Sequence, residues 1–255
     1  MPVAPNRRWI APAAAILMGI CSHAGVAQAD SNALWEIVHG QCVPDEQQHG
    51  DPKPCAEVDL QSGIAVLKDI RGATQFLLIP TEQITGIESP LILTPRATNY
   101  FAEAWQARGH VEKALGHALP RDMLSLAINS QLARSQNQLH IHIDCIRADV
   151  RDALWGERSR IGRRWRPLKV LLAGHRYTAM RVTGNSLASH NPFKLLASGI
   201  PGAAKDMGRH TLVVVAMRFA HDVPGFVILE NQADPAHGDN AGGEELQDHA
   251  CALGH

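Results

Sequence analysis

Apolar and polar residues alternate along Leu139-His140-Ile141-His142-Ile143-Asp144-Cys145, the period-two pattern of a β-strand with one buried face. His140, His142 and Asp144 then share one face, and Ile141, Ile143 and Cys145 the other. Two strands over 63–68 and 75–80 are expected to pair through the turn around Arg71-Gly72. Two more, Ser125 to Asn129 and Gln138 to Cys145, flank a polar loop. Helical spacing of Leu34, Trp35, Ile37 and Val38 after Ser31 predicts a short Ser-capped helix. Phe101, Ala104, Trp105, Val111 and Leu115 predict one long helix from an Asn99 cap, with Gly116 just past its end. Beyond residue 150 the pattern weakens. Asp149 is a candidate cap for a helix through Leu154, and Asn191-Pro192 opens a helix through Ala197. Thr211 to Phe219 and Phe226 to Glu230 form a hairpin around residues 221–225. Ala233 to Gly243 reads as a mobile loop, and a terminal helix from about Glu244 carries Cys251. The fold class is α+β, an antiparallel meander under a long helix, with a core at 30–150 and a C-terminal α+β part at 151–255 packed on it.

Composition narrows the function classes. The 255 residues carry a net charge of −1 and only 5% aromatics, so neither a global positive field nor stacking platforms argue for nucleic acid. Residues 1–29 read as a targeting segment: Arg7 and Arg8 precede an apolar stretch from Ile10 to Cys21, and Ala27-Gln28-Ala29 fits a cleavage pattern. The chain is therefore expected to be exported, facing the periplasm at the inner membrane, with the segment either cleaved or kept as an anchor. Setting Cys21 aside, Cys42, Cys55, Cys145 and Cys251 allow three pairings. Cys42–Cys55 would close a short loop, and Cys145–Cys251 would tie the C-terminal region to the histidine strand.

Three ionisable groups in a row on one strand face point to a site. The tract from Asn129 to Gln138 supplies amide and hydroxyl donors of the kind that hold a phosphate, which suggests phosphorus chemistry at a histidine. The local rival is zinc on His140, His142 and Asp144, since a metal wants a third protein ligand. His175, His190, His210 and His221 are scattered and read as solvated or structural, and His249 as helix surface. Arg158, Arg160, Arg163, Arg164, Arg166 and Lys169 surround Trp165, a basic loop suited either to solvent or to anionic headgroups.

His140-Ile141-His142-Ile143 resembles the histidine triad signature. Asn129 and Gln136 match its amide-rich phosphate loop, and Thr74-Gln75-Phe76-Leu77-Leu78-Ile79-Pro80 resembles its preceding strand. More narrowly, the chain resembles the CDP-diacylglycerol pyrophosphatases through Gln41-Cys42-Val43-Pro44, Pro54-Cys55-Ala56-Glu57-Val58, Gly86-Ile87-Glu88-Ser89-Pro90, Ala104-Trp105-Gln106-Ala107-Arg108, Ser125 to Ser130, His140 to Cys145 and Gln247-Asp248-His249-Ala250-Cys251.

The resemblance implies a histidine-triad-like sheet and hydrolysis of CDP-diacylglycerol to CMP and phosphatidate, without a metal or other cofactor. His142 is then the nucleophile, its second ring nitrogen held most simply by a main-chain carbonyl. His140 and Asp144 stand beside it, and Asn129, Gln136, Asn137, Gln75, Lys68 and Arg134 are phosphate-binding candidates. Asp144 and Gln75 occupy positions where the triad superfamily has histidines. The lipid substrate gives Arg163, Arg164, Trp165 and Arg166 a role at the membrane surface. Rival readings are a nucleotidyl transferase or dinucleoside polyphosphate hydrolase, or a periplasmic metal- or nucleotide-binding protein without turnover.

Overall fold

The computed structural model describes Met1 and residues 30–254; the targeting segment expected at 1–29 lies almost wholly outside the described residues. Ten strands form one antiparallel sheet: β1 (Glu57–Asp59), β2 (Ile64–Lys68), β3 (Phe76–Pro80), β4 (Leu124–Ile128), β5 (Ile141–Ile146), β6 (Arg166–Leu172), β7 (His175–Thr183), β8 (His210–Arg218), β9 (Pro224–Gln232) and β10 (Gln247–Asp248). Their spatial order is β1-β2-β3-β5-β4-β8-β9-β7-β6, with β10 also on β5. The β4–β8 pairing carries the sheet across residue 150.

One face of the sheet is apolar throughout. Val66, Phe76, Leu78, Leu126, Ile141, Ile143, Val214 and Ile228 pack there against α3 (Tyr100–Gln106), α4 (Gly109–Leu115) and α6 (Pro192–Gly199) through Phe101, Trp105, Val111, Phe193 and Leu196. Each such side chain contributes roughly 1.5–3 kcal/mol on burial. The other face is divided. Ala65, Leu67, Leu77 and Ile79 take α1 (Ala33–Ile37) through Leu34 and the residues that follow it through Val38 and Cys42. Val213, Val215, Val227 and Leu229 take α5 (Ala148–Glu157) through Val150 and Leu154. Between these two patches runs a polar strip.

Several expectations change on the structure. The helix expected from Asn99 to Leu115 is two helices. Asn99 does cap α3 and left-handed Gly116 ends α4, but the Arg108 guanidinium takes the Trp105 carbonyl at 2.6 Å and closes α3 early. The first helix does not end at Val38: it continues through a π turn, Val38–Cys42, into α2 (Val43–His49). Its first turn is closed by Gln136, whose Oε1 accepts from the Leu34 N–H at 3.2 Å, with no side-chain cap from Ser31. α5 begins at Ala148 after Arg147, so Asp149 lies inside its first turn.

The segment from Glu244 to Cys251 forms no α-helix. A 3₁₀ turn over Gly243–Leu246 leads into β10, where pairing with β5 overrides helical spacing. The basic stretch is not a loop throughout: it runs into β6, which hairpins onto β7 through Ala173 and Gly174, both at positive φ. Trp165 turns inward, its indole N–H on the Leu195 carbonyl at 3.1 Å and its ring over Gly199. It is therefore not free to enter a headgroup layer. Residues 233–243 are tied down, with Ala241 buried and its carbonyl accepting from Ser130 N.

Both favoured disulfides are present, Cys42–Cys55 and Cys145–Cys251. Such bridges fit an oxidising compartment. Among the described residues no helix is long and apolar enough to cross a membrane.

Candidate active site

β5 is buried on both faces, which the alternation alone does not reveal. Its odd positions face the main core. Its even positions put His142 and Asp144 into the polar strip, with His140 just ahead in the same alternation. β3 pairs Leu77 with His142, and β4 pairs Ala127 with His142 and Ser125 with Asp144. Short residues thus border the polar strip on the β4 side, and Leu77 borders it on the β3 side.

His142 is 4% exposed. Burial first, then the neighbouring His140, pushes its pKa down to about 3, so the ring is neutral across the physiological range. Its Nδ1 lies 2.5 Å from the Gln75 amide nitrogen, and its Nε2 has no hydrogen-bond partner among the described residues. The main-chain carbonyl expected behind His142 instead serves His140, whose Nδ1 donates to Gln138 O at 2.7 Å. Burial also lowers the His140 pKa. The two rings meet edge to face with centroids 5.0 Å apart.

Asp144 directs its carboxylate elsewhere. Oδ1 accepts from Thr74 Oγ1 at 2.7 Å and from Cys145 N at 2.8 Å, and Oδ2 accepts from His249 Nδ1 at 2.8 Å. The zinc set weighed from sequence therefore does not converge. Among the described residues no group of three or more His, Cys, Asp and Glu is placed to hold a metal ion.

Two residues that sequence reasoning missed complete the site. Glu244 sits in front of His142, its Oε2 3.6 Å from Nε2. Its carboxylate accepts from Gln75 Nε2 at 3.0 Å and Asn129 Nδ2 at 3.2 Å, and its backbone N–H donates to Asn129 Oδ1. Burial raises its pKa, but hydrogen bonds from His249, Gln75 and Asn129 outweigh that and hold it well below the carboxylate range. His249 is not helix surface. It bridges Asp144 and Glu244, with Nε2 3.4 Å from Glu244 Oε1. The Asp144 bond and then the Glu244 bond raise its pKa to about 10 against partial burial, so it is an imidazolium.

Gly72 makes this fit possible, since at φ +65° an added Cβ would lie 2.6 Å from the His249 Cβ. The signal for His249 was present in the chain: a Cys145–Cys251 bridge brings residue 249 toward residue 144. Glu244 carried no such signal.

The other candidates divide. Gln75 bonds His142, and Asn129 bonds the Glu244 carboxylate in front of it. Arg134 lies near His140 but forms a two-pronged ion pair with Glu88. Lys68 donates to Asp69 O and Gly72 O within its own hairpin turn, on the opposite face of the sheet. Gln136 holds α1, and Asn137 bonds through its backbone N–H to Ser31 O at 2.6 Å. An open cleft of about 500 Å³ lies beside the site, lined by Arg71, Asn129, His175, Glu244, Glu245 and His249. His175 is thus on the cleft wall, whereas His210 is buried against Glu230 at 2.7 Å and is structural.

A neutral, buried imidazole with an open nitrogen, amide donors converging before it and a polar cleft beyond is an arrangement for nucleophilic attack on an anionic centre. Comparison with known proteins agrees with a phosphorus substrate. The family model for CDP-diacylglycerol pyrophosphatase matches residues 29–255. A CDP-diacylglycerol pyrophosphatase of Yersinia pestis is 45% identical over 225 residues, covering 88% of this chain and 86% of that protein. The chain is therefore a hydrolase that belongs to the CDP-diacylglycerol pyrophosphatase family.

Proposed function

We propose that the protein cleaves the diphosphate bond of CDP-diacylglycerol through a cytidylyl-His142 intermediate. The observation that carries this reading is the unpartnered Nε2 of a neutral His142, 3.6 Å from a carboxylate that the Asn129 amide and His249 also hold. A nitrogen–phosphorus bond forms at the CMP phosphorus while the bond to the bridging oxygen breaks, and its electron pair leaves with phosphatidate. Water then cleaves the nitrogen–phosphorus bond, giving its hydroxyl to phosphorus and a proton to the imidazole. Phosphatidate leaves as a phosphate monoester with a second pKa of about 6, so the leaving group needs little protonation near neutral pH.

Attack through Nε2 requires the proton on Nδ1. A half-turn of the Gln75 amide, made once Glu244 no longer takes its Nε2, supplies the acceptor, because its Oε1 has no partner among the described residues. A histidine-triad-like core belongs to the same proposal, supported by β3 and β5, the two segments that resemble it, lying side by side.

The experiment is incubation of the protein with CDP-diacylglycerol in detergent and EDTA, an alkaline denaturing quench, and mass spectrometry. CMP, phosphatidate and a cytidylyl group on the peptide carrying His142 are the expected products. CMP without any adduct under single-turnover conditions would reject the covalent step, and transfer of CMP to an added acceptor would favour the nucleotidyl transferase reading.

Export to the periplasmic side of the membrane is part of this reading and rests on the two disulfides. Arg163, Arg164 and Arg166 remain exposed and would draw the protein to anionic lipid. Replacing all three by Gln is expected to weaken sedimentation with phosphatidylglycerol vesicles at low salt. Unchanged binding would remove the basic stretch from the proposal.

A further inference from the structure

The groups that face Glu244 are a set of anion ligands. Gln75 Nε2, Asn129 Nδ2 and His249 Nε2 lie 3.0, 3.2 and 3.4 Å from its carboxylate oxygens. Its Oε2 stands 3.6 Å from the nitrogen read as the nucleophile. A carboxylate there occupies the place that a reacting phosphate needs, and both cannot fit at once.

His249 is the one of the three that carries a full charge, and with Asn129 it stays available to the substrate when the Gln75 amide turns its oxygen to His142. Its opposite ring nitrogen is fixed on buried Asp144, its backbone carbonyl accepts from Ala73 N, and the Cys145–Cys251 bridge anchors it two residues away. The residues that face it are Asp144 from β5, Glu244 from the 3₁₀ turn, neutral His142 and, across the cleft, Arg71.

We propose that His249 is the charged ligand of the scissile diphosphate, and that the substrate reaches it by displacing the Glu244 carboxylate. The inference rests on the reading of this site as one for a diphosphate ester. Exchange of the carboxylate for the more highly charged diphosphate keeps an anion on the imidazolium, so its partner on Asp144 is undisturbed. As the bridging bond breaks, the electron pair moves onto the leaving oxygen, and His249 pairs with it while keeping its own proton. Such a fixed donor, aimed where charge develops, stabilises the transition state more than the ground state. A histidine from the C-terminal region thereby supplies an imidazole to a site in which Asp144 and Gln75 replace two.

The test uses the full chain with His249→Gln, His249→Lys and Glu244→Gln, and two readouts. Inorganic pyrophosphate binding, followed by calorimetry, does not depend on the identity of the natural substrate. It is expected to weaken in His249→Gln, recover in His249→Lys and tighten in Glu244→Gln. In turnover of CDP-diacylglycerol, kcat/KM is expected to fall about 10²-fold in His249→Gln, with about a tenfold recovery in His249→Lys.

Equal behaviour of the Gln and Lys variants in both readouts would show that His249 acts by shape and not by charge, and would overturn the proposal. Weaker pyrophosphate binding in Glu244→Gln would equally overturn the displacement. Wild-type protein that binds pyrophosphate through His249 but releases no CMP would leave this inference standing and reject the proposed substrate.

Discussion

Replacing His142 by alanine is expected to lower CMP release by about 10⁴-fold or more, because removal of a covalent nucleophile abolishes a pathway rather than weakening one. That corresponds to about 5 kcal/mol of lost transition-state stabilisation. The variant should fold, since His142 makes one side-chain hydrogen bond, to Gln75, and lies between the two apolar patches rather than within either. The pH profile of the wild type belongs to the same argument. Burial holds the His142 pKa at about 3, so the neutral ring persists as pH falls through 6.5, where an ordinary histidine would be protonated. The kcat of the wild type should therefore show no acid limb near pH 6.5. Residual activity in the alanine variant within tenfold of wild type would remove His142 from the nucleophile's role.

Loss of the Gln75 amide should be nearly as damaging. Gln75→Leu keeps the size of the side chain but leaves Nδ1 of His142 without an acceptor, so the proton is free to move to Nε2 and block attack. Removing the group that fixes a catalytic tautomer costs up to about 10⁴-fold elsewhere, and here a fall of about 10²–10³-fold in kcat is expected. Thermal unfolding of the same variant, measured alongside, should change little, because an apolar isostere at a buried position removes a desolvation cost as well as a bond. A kcat equal to that of wild type would show that Gln75 only fills space, and that another group orients the ring.

The strands near the site were legible because β2 to β5 each carry strong local signals: apolar runs bounded by turns, and alternation on β5. Their order was not, since β5 lies between β3 and β4 and breaks the expected meander. Side-chain direction was less legible too. Gln136 and Asn137 lie at sensible offsets from His140, but offset along a loop does not say which way an amide points: the Gln136 amide holds the N-terminal helical segment, and the Asn137 side chain accepts from Arg134. Lys68 was lost for a simpler reason: it shares the parity of Val66, so the pleat carries it to the far face. β6 escaped notice because an edge strand is blunted by charge and proline. Arg166, Pro167 and Lys169 serve that purpose here and imitate a solvated loop. His249 and Glu244 depend on a pairing between residues more than 100 positions apart, which no local periodicity can report.

That distant pairing has a consequence for the order of events in the cell. Synthesis runs from the N-terminus, and domains generally fold in that direction. β1 to β9 make their mutual pairings without the segment from Glu244 to Cys251, which joins the sheet only where β10 pairs with β5. Until that segment docks on β5 and Cys251 meets Cys145, a folded sheet holds His142 but neither the His249 imidazolium nor the Glu244 carboxylate. Docking of that segment, rather than collapse of the sheet, is then the step that completes the proposed site.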